Sequence, residues 1–372
     1  MPSSTPLSVL DLSPVVSGQT AADALRNTLD LAQQAERFGY RRFWLAEHHL
    51  APGVAASSPA VLIAAVAART STIRVGSGAV LLGNRTPLEV AEDFGTVAQL
   101  HPGRVDLGLG RSVYGRLGDL AAKPPAPPQE SEDRVVDGLL VPAPPPRLHS
   151  PHLLERLRTH AGLLGAFEAG GYLEQVSAVL AFLTGRYQDD GGEPYRSPAA
   201  EHADLETWVL GSSAGPSARA AGELGLPFAA NYHVTPSTVL GSIDAYREAF
   251  VPSDRLDRPH VMVSADVVVA EDDRTARELA EPFAPWVLSI RSGSGAIPFP
   301  SRAEAAQFTW TDDERAAIDD RVRTQIVGTP EQVAEQLRVL RDATGADELL
   351  VTTITHGHDD RVRSYELLAE AW

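Results

Sequence analysis

The sequence contains 372 residues, with 32 Lys and Arg against 49 Asp and Glu, and carries a formal net charge of −17. A chain this acidic repels the phosphates of nucleic acids and anionic lipids, so neither is an expected partner. Because the chain has no cysteine, disulfides, thiolate catalysis, iron–sulfur clusters and cysteine-based zinc sites are excluded. No apolar run approaches the roughly 20 residues of a membrane helix, and the first residues lack the basic and apolar regions of a signal peptide. We expect a cytoplasmic protein of mixed α/β class.

Short apolar segments alternate with longer segments of helical periodicity. Eight of the short segments are predicted strands, and most are apolar on both faces, as parallel strands covered by helices are. This alternation predicts an α/β fold, a single (β/α)8 TIM barrel over residues 1–372. The predicted strands are Leu7–Leu12, Arg42–Ala46, Ile73–Leu82, Arg104–Gly110, Thr207–Leu210, Pro227–Asn231, Val261–Val269 and Glu348–Ile354.

Capping residues mark the predicted helix boundaries. Thr20 is a predicted N-cap and Gly39 a predicted C-terminal stop for the first helix. Thr86-Pro87-Leu88-Glu89 combines an N-cap, a proline at the first helical position and a capping-box glutamate, and Thr329-Pro330-Glu331-Gln332 has the same arrangement. The other predicted helices are Pro59–Arg69, Gly171–Leu183, Ser217–Leu224, Thr238–Phe250 and Val362–Ala371.

Two stretches interrupt the alternation. Nine of the 28 prolines lie between Pro124 and Pro151. Because proline does not fit a regular helix or a central strand, residues 112–165 are predicted to form an irregular insertion after strand four. Residues 274–323 are predicted to form a helical insertion between strands seven and eight, with a Gly/Ser/Pro loop at Arg291–Ser301.

Polar residues follow six of the predicted strands, at the end where such barrels place their active sites. Loops are polar in general, but six strand ends in a row predict one shared pocket. The six segments are Glu47-His48-His49, Gly83-Asn84-Arg85, Gly110-Arg111-Ser112, Gly211-Ser212-Ser213, Asn231-Tyr232-His233 and Thr355-His356-Gly357-His358.

A histidine after strand two is the strongest candidate for acid–base or hydrogen-bonding chemistry, because the ordinary pKa of histidine lies near neutral pH. His48 and His49 point in opposite directions on an extended backbone, so only one of them is expected to face a given site. A metal site is disfavoured. The sequence has no His-Glu-x-x-His motif, and its one cluster of potential ligands is His356-Gly357-His358 with the two aspartates that follow.

The glycine-rich segment Leu107–Arg111 is not a dinucleotide-binding fingerprint, because position 113 is valine instead of the required glycine. Its glycines suit the close approach of a flat ligand, and Arg111 adds a positive charge beside them. Ser212, Ser213 and Ser217 surround the start of a predicted helix, where hydroxyl and free N–H groups suit either a phosphate or ordinary N-capping. With Arg111 on the same rim, we predict an anion site.

Several segments form a specific combination in a fixed order along the chain. They are Phe43-Trp44-Leu45-Ala46-Glu47-His48-His49, Ser58-Pro59-Ala60-Val61-Leu62-Ile63, Ile73–Leu82, Thr86–Asp93, His101-Pro102-Gly103-Arg104, Gly211-Ser212-Ser213, Glu223–Phe228 and Ser364–Leu368. This combination resembles the bacterial luciferase-like flavin monooxygenases over most of the chain, most closely at residues 7–111, 207–270 and 325–370.

The resemblance implies a homodimeric (β/α)8 barrel that binds FMN at the carboxyl ends of its strands and receives reduced FMN from a separate flavin reductase. Oxygen is expected to add to the reduced flavin at C4a, and the peroxide to oxidise an organic substrate while the protein excludes water. The matching site residues are His48 as the active-site histidine, Gly78 and Ala79 at a bulge that often carries a cis peptide against the flavin ring, and Arg111, Ser212, Ser213 and Ser217 on the phosphate side.

The sequence departs from the family after Arg111, where Ser112-Val113-Tyr114-Gly115-Arg116 follows, and near Ala214-Gly215-Pro216, where one residue is inserted. The enlarged loop suggests a bulky substrate, such as an aromatic polyketide of secondary metabolism, which is hydroxylated, epoxidised or oxidised by Baeyer–Villiger insertion. Two alternatives are hydride transfer with the deazaflavin F420 and a non-catalytic flavin-binding protein. Fold alone does not separate the three.

Overall fold

The computed structural model describes residues 5–112, 132–146, 148, 153–165, 171–293 and 295–372. Its strands are β1 (Leu7–Asp11), β2 (Arg42–Leu45), β3 (Arg74–Ser77), β4 (Val80–Leu82), β5 (Val105–Arg111), β6 (Arg134–Val136), β7 (Leu139–Val141), β8 (Leu205–Gly211), β9 (Phe228–Asn231), β10 (Val261–Val269), β11 (Ile326–Gly328) and β12 (Glu348–Thr352). Its helices are α1 (Ala21–Phe38), α2 (Pro59–Ala67), α3 (Pro87–Leu100), α4 (Leu153–Leu163), α5 (Tyr172–Leu183), α6 (Pro216–Glu223), α7 (Val239–Ala249), α8 (Asp273–Ala280), α9 (Phe283–Arg291), α10 (Arg302–Ala305), α11 (Asp312–Thr324), α12 (Pro330–Thr344) and α13 (His358–Ala371). A short 3-10 helix, Pro236–Thr238, precedes α7.

Eight parallel strands close into a barrel. Around the ring their order is β1, β2, β3, β5, β8, β9, β10 and β12, and β12 pairs with β1 to complete it. In a closed ring of eight strands, each strand lies opposite the strand four places further around the ring. Strand β3 therefore lies opposite β10, and β5 lies opposite β12. Helices alternate with these strands in the chain. The predicted (β/α)8 barrel is confirmed.

The predicted helix caps are confirmed. Thr20, Thr86 and Thr329 each form a capping box, and Gly39 ends α1 with a left-handed φ of 85°. The last helix starts earlier than predicted, at His358, because Gly357 serves as its N-cap and two aspartates favour its first turn. Among the described helices, none combines the length and the apolar character needed to cross a bilayer.

The third barrel strand is interrupted. The sequence predicted one strand over Ile73–Leu82, which is wrong at its centre, because β3 ends at Ser77 and β4 begins at Val80. The Gly78–Ala79 peptide bond between them is cis. Gly78 N donates a hydrogen bond to the Leu45 carbonyl (2.8 Å), so these two residues are held at the carboxyl end of β2.

The insertion after strand four is more regular than predicted. A two-residue turn, Asp137-Gly138, joins antiparallel β6 and β7, with φ values of 49° and 86°. This is the Asp-Gly hairpin signal, obscured in the sequence by the prolines on both sides. Helix α4 follows. The prediction of an irregular segment over 112–165 is therefore wrong for these parts, while residues 113–131, 147 and 149–152 lie outside the described residues.

The insertion between strands seven and eight is helical as predicted. It contains α8 to α11, with residues 292, 293 and 295–301 between α9 and α10 outside helices. It ends in β11, which pairs with the carboxyl half of β10 outside the closed ring. The sequence did not predict β11, because three residues are too few to show a strand pattern.

The amino end of the barrel is closed by charged side chains. Arg42 Nη1 lies 2.8 Å from Asp106 Oδ2 and 2.8 Å from Glu206 Oε2, and Arg42 Nε lies 3.0 Å from Glu348 Oε1. The Trp208 ring packs on Arg42, with its centroid 4.9 Å from Cζ. Burial opposes the charge on Arg42, but the three carboxylates outweigh it and hold the pKa of this guanidinium above its usual value. This end of the barrel is therefore filled by protein side chains.

Candidate active site

A cavity of about 490 Å³ occupies the carboxyl end of the barrel. Its volume lies in the range typical of small-molecule and cofactor sites. All seven residues predicted for the site line this cavity. They are His48, Gly78, Ala79, Arg111, Ser212, Ser213 and Ser217. The structure thus brings together residues that the sequence spreads over 170 positions, while their individual roles stay predictions.

One wall of the cavity, the flat wall, has few side-chain atoms. It is formed by Gly78 and Ala79, between β3 and β4, and by Gly110 near the end of β5. A Cβ atom at Gly110 would lie 3.0 Å from the Ala79 Cβ. Gly108 has a different function from the one expected, since a Cβ there would lie 2.0 Å from the Ser77 carbonyl oxygen. Gly108 allows β3 and β5 to approach each other, and Gly110 leaves room for a planar ligand.

The residues predicted to bind an anion form a rim beside the flat wall, the anion-binding rim. Arg111 ends β5, and three serines surround the start of α6. The N-cap of α6 is Gly215, and no side chain caps the helix, so N-capping by these serines is not their role here. The buried Tyr172 hydroxyl connects the two parts of the rim: burial raises the pKa of Tyr172, and both Ser217 and Arg111 oppose the rise. Positive charge, hydroxyl groups and the helix amino end thus converge on one place.

His48 presents its ring to the cavity. Its backbone N–H donates to the Ala56 carbonyl (2.8 Å), which fixes the loop after β2. His48 keeps an exposed surface and lines the cavity. Desolvation by the surrounding barrel, with a smaller effect from His49, lowers the pKa of His48 to about 4 against the opposing effect of Glu47. His48 is therefore neutral at pH 7, with one nitrogen able to donate a hydrogen bond and the other able to accept one.

His49 turns away from the main cavity, as the alternation argument predicted. Its Nε2 lies 2.8 Å from Glu47 Oε1, and Glu47 Oε2 accepts the Leu81 N–H at 3.0 Å. Glu47 therefore ties the loop after β2 to β4 and positions the flat wall. Both histidines line a second, smaller cavity, so the expectation that only one could face a given site is wrong there. The reason is that β2 has already ended at Leu45.

His233, after β9, is a second neutral histidine in the cavity. Its Nδ1 is hydrogen-bonded to Ser264 Oγ. Burial, with smaller effects from Arg321 and His48, lowers the pKa of His233 to about 3. In the unfolded chain a histidine titrates near pH 6.5, so between pH 6.5 and 3 the unfolded state binds more protons than the folded state.

We expect the free energy of unfolding to fall as the pH drops below about 6.5, because of this proton imbalance. The upper limit for His233 is about 1.4 kcal/mol per pH unit, reduced by the partial exposure of its ring. Melting temperatures measured at pH 7.5 and pH 5.0 test this contribution of His233. The melting temperature of His233→Asn should fall less between the two pH values than that of the unchanged protein. His202→Asn, an exposed site whose left-handed φ of 56° asparagine tolerates, is the control. Equal losses in all three proteins would contradict the assignment.

Sequence reasoning missed the side of the cavity formed by the helical insertion. Asp266 of β10 and Arg321 of α11 form a buried ion pair, with 3.1 Å between Oδ2 and Nη2. Burial raises the pKa of Asp266, and Arg321 opposes the rise. Trp286 of α9 lies beside them, its ring centroid 5.8 Å from Arg321 Cζ. A signal for Asp266 was present, since it is an acid inside the apolar strand Val261–Val269.

Two of the six polar strand ends are not part of the cavity. Asn84 Oδ1 accepts a hydrogen bond from Ser112 (2.6 Å), His356 Nε2 contacts Ser17, and His358 Nε2 lies 2.9 Å from Asp30. The expectation of one pocket shared by all six segments is wrong for residues 83–85 and 355–358, because neighbouring loops and helices engage their side chains. Within the described ranges, no three His, Asp or Glu side chains are grouped as metal ligands.

Comparisons with known proteins bear on this site. The model of the family described as luciferase-like monooxygenase matches residues 6–125 and 174–348. The protein YvbT of Bacillus subtilis (strain 168) is 38% identical over 372 residues, covering 99% of this chain and 97% of YvbT. A luciferase-like monooxygenase of Escherichia coli (strain K12) is 33% identical over 362 residues, covering 97% and 95%. The structure of apo-MsnO8 is 33% identical, with a TM-score of 0.75 and coverage of 99% and 98%.

More distant structures share the fold alone. They include a type II Baeyer–Villiger monooxygenase in complex with FMN (20% identity, TM-score 0.62, coverage 98% and 97%) and an F420-dependent secondary alcohol dehydrogenase (13%, 0.61, 99% and 98%). The barrel, its cavity and these comparisons define the class, a TIM-barrel oxidoreductase. Within that class, the chain belongs to the luciferase-like monooxygenase family, as the resemblance implied.

Proposed function

We propose that the protein is a monooxygenase that uses reduced FMN and O2 to oxidise an organic substrate by hydroxylation, epoxidation or Baeyer–Villiger insertion. The observation that carries the proposal is one cavity that combines a flat wall, an anion-binding rim and a neutral histidine. A flavin mononucleotide has complementary parts, a planar ring system and a phosphate. A separate flavin reductase, expected in the same cytoplasmic compartment, supplies the reduced flavin.

The residues present fit FMN. The backbone of Gly78, Ala79 and Gly110 leaves a surface on which a planar ring can lie, and a Cβ atom at Gly110 would crowd the Ala79 Cβ at 3.0 Å on this surface. Arg111 and the uncapped amino end of α6 supply positive charge and N–H donors for a phosphate. When bound, the reduced flavin reacts with O2 and delivers one oxygen atom to the substrate.

The protein's own contribution is positioning, exclusion of water and proton handling. Leu10, Leu12 and Ile354 form apolar parts of the lining and keep the reacting groups away from bulk solvent. His48, neutral at pH 7, can donate a hydrogen bond to a developing oxygen anion through one ring nitrogen, or accept a proton from a reacting hydroxyl group through the other. Glu47 positions both the His48 loop and the flat wall through its contacts with His49 and Leu81.

We also propose that the protein is a homodimer. All nine residues of α2 are apolar, and Val61 on this helix is 66% exposed. A helix that is apolar on every side is buried in most proteins, which supports a contact between two copies here.

FMN affinity should fall about 10- to 100-fold in an Arg111→Met variant, because hydrogen bonds to a charged group contribute roughly 1.5–3 kcal/mol. Riboflavin, which has the same ring but no phosphate, should bind the variant and the unchanged protein equally. Fluorescence titration with both ligands checks this. Arg85→Met is the matched control, since Arg85 lies on the neighbouring strand end and pairs with Asp93. Equal losses for FMN and riboflavin would show that Arg111 does not bind the phosphate, and titration with F420 would then test the hydride-transfer alternative.

A further inference from the structure

A second cavity of about 250 Å³ lies beside the main cavity, and His48 lines both of them. Leu12, Trp286 and Ile290 are also shared between the two linings. Leu12 directly follows β1 and His48 lies in the loop after β2, so the barrel contributes the ends of its first two strands to the second cavity. A molecule bound there lies next to the histidine that is proposed to handle protons.

The anion-binding rim lies on the other side of the barrel from the second cavity. In the ring of strands, β1 lies opposite β8. Ser212 and Ser213 of the rim directly follow β8, whereas Leu12 of the second cavity directly follows β1. Arg111 and the three serines are not among the described residues that line the second cavity. A phosphate bound at the rim therefore leaves the second cavity open to another reactant.

Helix α4 contributes a basic face to the second cavity. Arg156, Leu157 and His160 line the cavity, and residues one and four positions apart share one face of an α-helix. Arg158 and Thr159 lie between them in the sequence, are exposed and are outside both described linings. The helix therefore places one guanidinium and one imidazole beside the second cavity.

The second cavity has a positive charge and no acid in its described lining. Arg156 is the one Arg or Lys among the described lining residues, and none of them is an Asp or a Glu. Partial burial and then the charge of Arg156 lower the pKa of His160, so the guanidinium acts on this imidazole across the helix face. His49 adds a second imidazole, whose Nε2 lies 2.8 Å from Glu47 Oε1. In a chain with a net charge of −17, such a lining selects for an anionic group.

The charge and the size of the second cavity indicate which kind of anion fits. One guanidinium balances one negative charge, so a carboxylate suits it better than a phosphate monoester, which carries about −1.5 to −2. A carboxylate can also accept two parallel hydrogen bonds from a guanidinium. Leu50, Val54 and Leu157 supply apolar surface in the same lining. Because a cavity of about 150 Å³ accepts a benzene molecule, a cavity of about 250 Å³ accommodates a ring or a short chain together with its carboxylate.

We propose that the substrate is an organic acid whose carboxylate binds Arg156 in the second cavity and whose apolar part extends past His48 toward the flat wall. The assignment of this acid as the substrate rests on the proposed monooxygenase function. The site itself, and its preference for an acid, are tested by binding alone. Arg156 is a specificity-determining residue, because it holds the end of the substrate that does not react, and His160 lies beside it on the same helix face.

The test measures the affinities of phenylacetate and phenylacetamide, which have nearly the same shape but differ in charge, by ligand-observed NMR titration of the full chain without flavin and with saturating FMN. The unchanged protein should prefer phenylacetate about tenfold, the lower end for hydrogen bonds to a charged group. Arg156→Met should remove most of this preference, and Arg156→Lys, which keeps the charge but loses the planar donors, should retain part of it. Arg158→Met is the matched control, because Arg158 is exposed on the same helix and outside both described linings.

Leu157→Glu gives an independent measurement if Arg156→Met perturbs folding. It places a negative charge on the same face of α4, so it should weaken the binding of phenylacetate more than that of phenylacetamide. Melting temperatures of all variants separate a loss of binding from a loss of fold.

Three results would overturn the proposal. The first is equal affinity for the acid and the amide in the unchanged protein, and the second is an unchanged preference in both Arg156→Met and Leu157→Glu. The third is a preference that saturating FMN or Arg111→Met abolishes, which would place the acid on the anion-binding rim instead. A preference that depends on Arg156 in a protein unable to bind FMN would support this inference while rejecting the proposed function, so the two failures are distinguishable.

Discussion

Replacing His48 with alanine is expected to lower the yield of oxygenated product per flavin oxidised by about 100-fold or more, the usual contribution of a positioned acid–base group. The ring lines the cavity and is neutral at pH 7, so its loss removes both a hydrogen-bond donor and a proton acceptor from the reacting atoms. FMN affinity should change little, because the flat wall and the anion-binding rim are separate from His48.

The measurement supplies reduced FMN, 18O2 and a set of apolar carboxylic acids to the protein and counts 18O incorporated into product. His202→Asn is the matched control, since His202 is exposed and outside the cavity. FMN titration of the alanine variant separates a catalytic loss from a binding loss. Unchanged 18O incorporation in His48→Ala would remove this residue from the mechanism.

Replacing Arg42 with methionine is expected to lower the free energy of unfolding by about 3–5 kcal/mol, the range for removing one partner of a buried ion pair. Asp106 and Glu348 are almost fully buried, and both depend on Arg42 for hydrogen bonds. Burial already raises the pKa of Glu348 against the opposing effect of Arg42. Without the guanidinium, the cations left beside these two carboxylates among the described residues are Arg74 and the exposed Arg41.

Urea unfolding at pH 7.5 measures this change. Arg26→Met is the control, because Arg26 forms an exposed pair with Asp23 on α1, and such pairs contribute roughly 0–1 kcal/mol. Arg42→Lys keeps the charge but loses the planar set of donors, so its loss should fall between the two. A decrease of less than about 1 kcal/mol in the free energy of unfolding of Arg42→Met would contradict the conclusion that these charged side chains stabilise the amino end of the barrel.

The barrel could be predicted from the sequence because its strands are buried on both faces. Val261–Val269 was predicted with its observed ends, because this run of nine residues is mostly apolar and contains no turn signal. The helix ends at Thr20 and Gly39 were predictable because capping chemistry is local. The interruption at Gly78–Ala79 was not visible in the composition of Ile73–Leu82, which is mostly apolar or small on both sides of the break. The family resemblance did imply a bulge with a cis peptide at these two residues, and the structure has both.

The hairpin signal in the insertion after strand four was overlooked because the proline-rich composition of the segment determined the prediction. The prolines after strand four favoured an irregular segment, although Val136-Asp137-Gly138-Leu139 carries the two-residue hairpin turn. Prolines restrict their own positions and the residue before each of them, and none lies within the hairpin itself.

The site was predictable where residues follow the barrel strands, and unpredictable where they come from the insertion. His48, Arg111 and the serines follow strand ends, and barrel geometry alone requires those ends to meet. Arg321 and Trp286 lie on helices whose packing over the barrel mouth depends on tertiary contacts. Asp266 was the available clue: a carboxylate inside an apolar strand requires a buried partner, and that partner is Arg321.

Oxygen reactivity of the bound reduced flavin tests the central claim most directly. The protein is mixed anaerobically with reduced FMN, then rapidly with oxygenated buffer, while absorbance spectra are recorded. The account predicts tight binding and an oxygenated flavin species that persists longer than its counterpart in free solution, because the cavity excludes water and supplies His48. Failure of reduced FMN to bind, or reoxidation of the bound flavin at the rate of free flavin without such a species, would contradict the assignment of this cavity as a monooxygenase site.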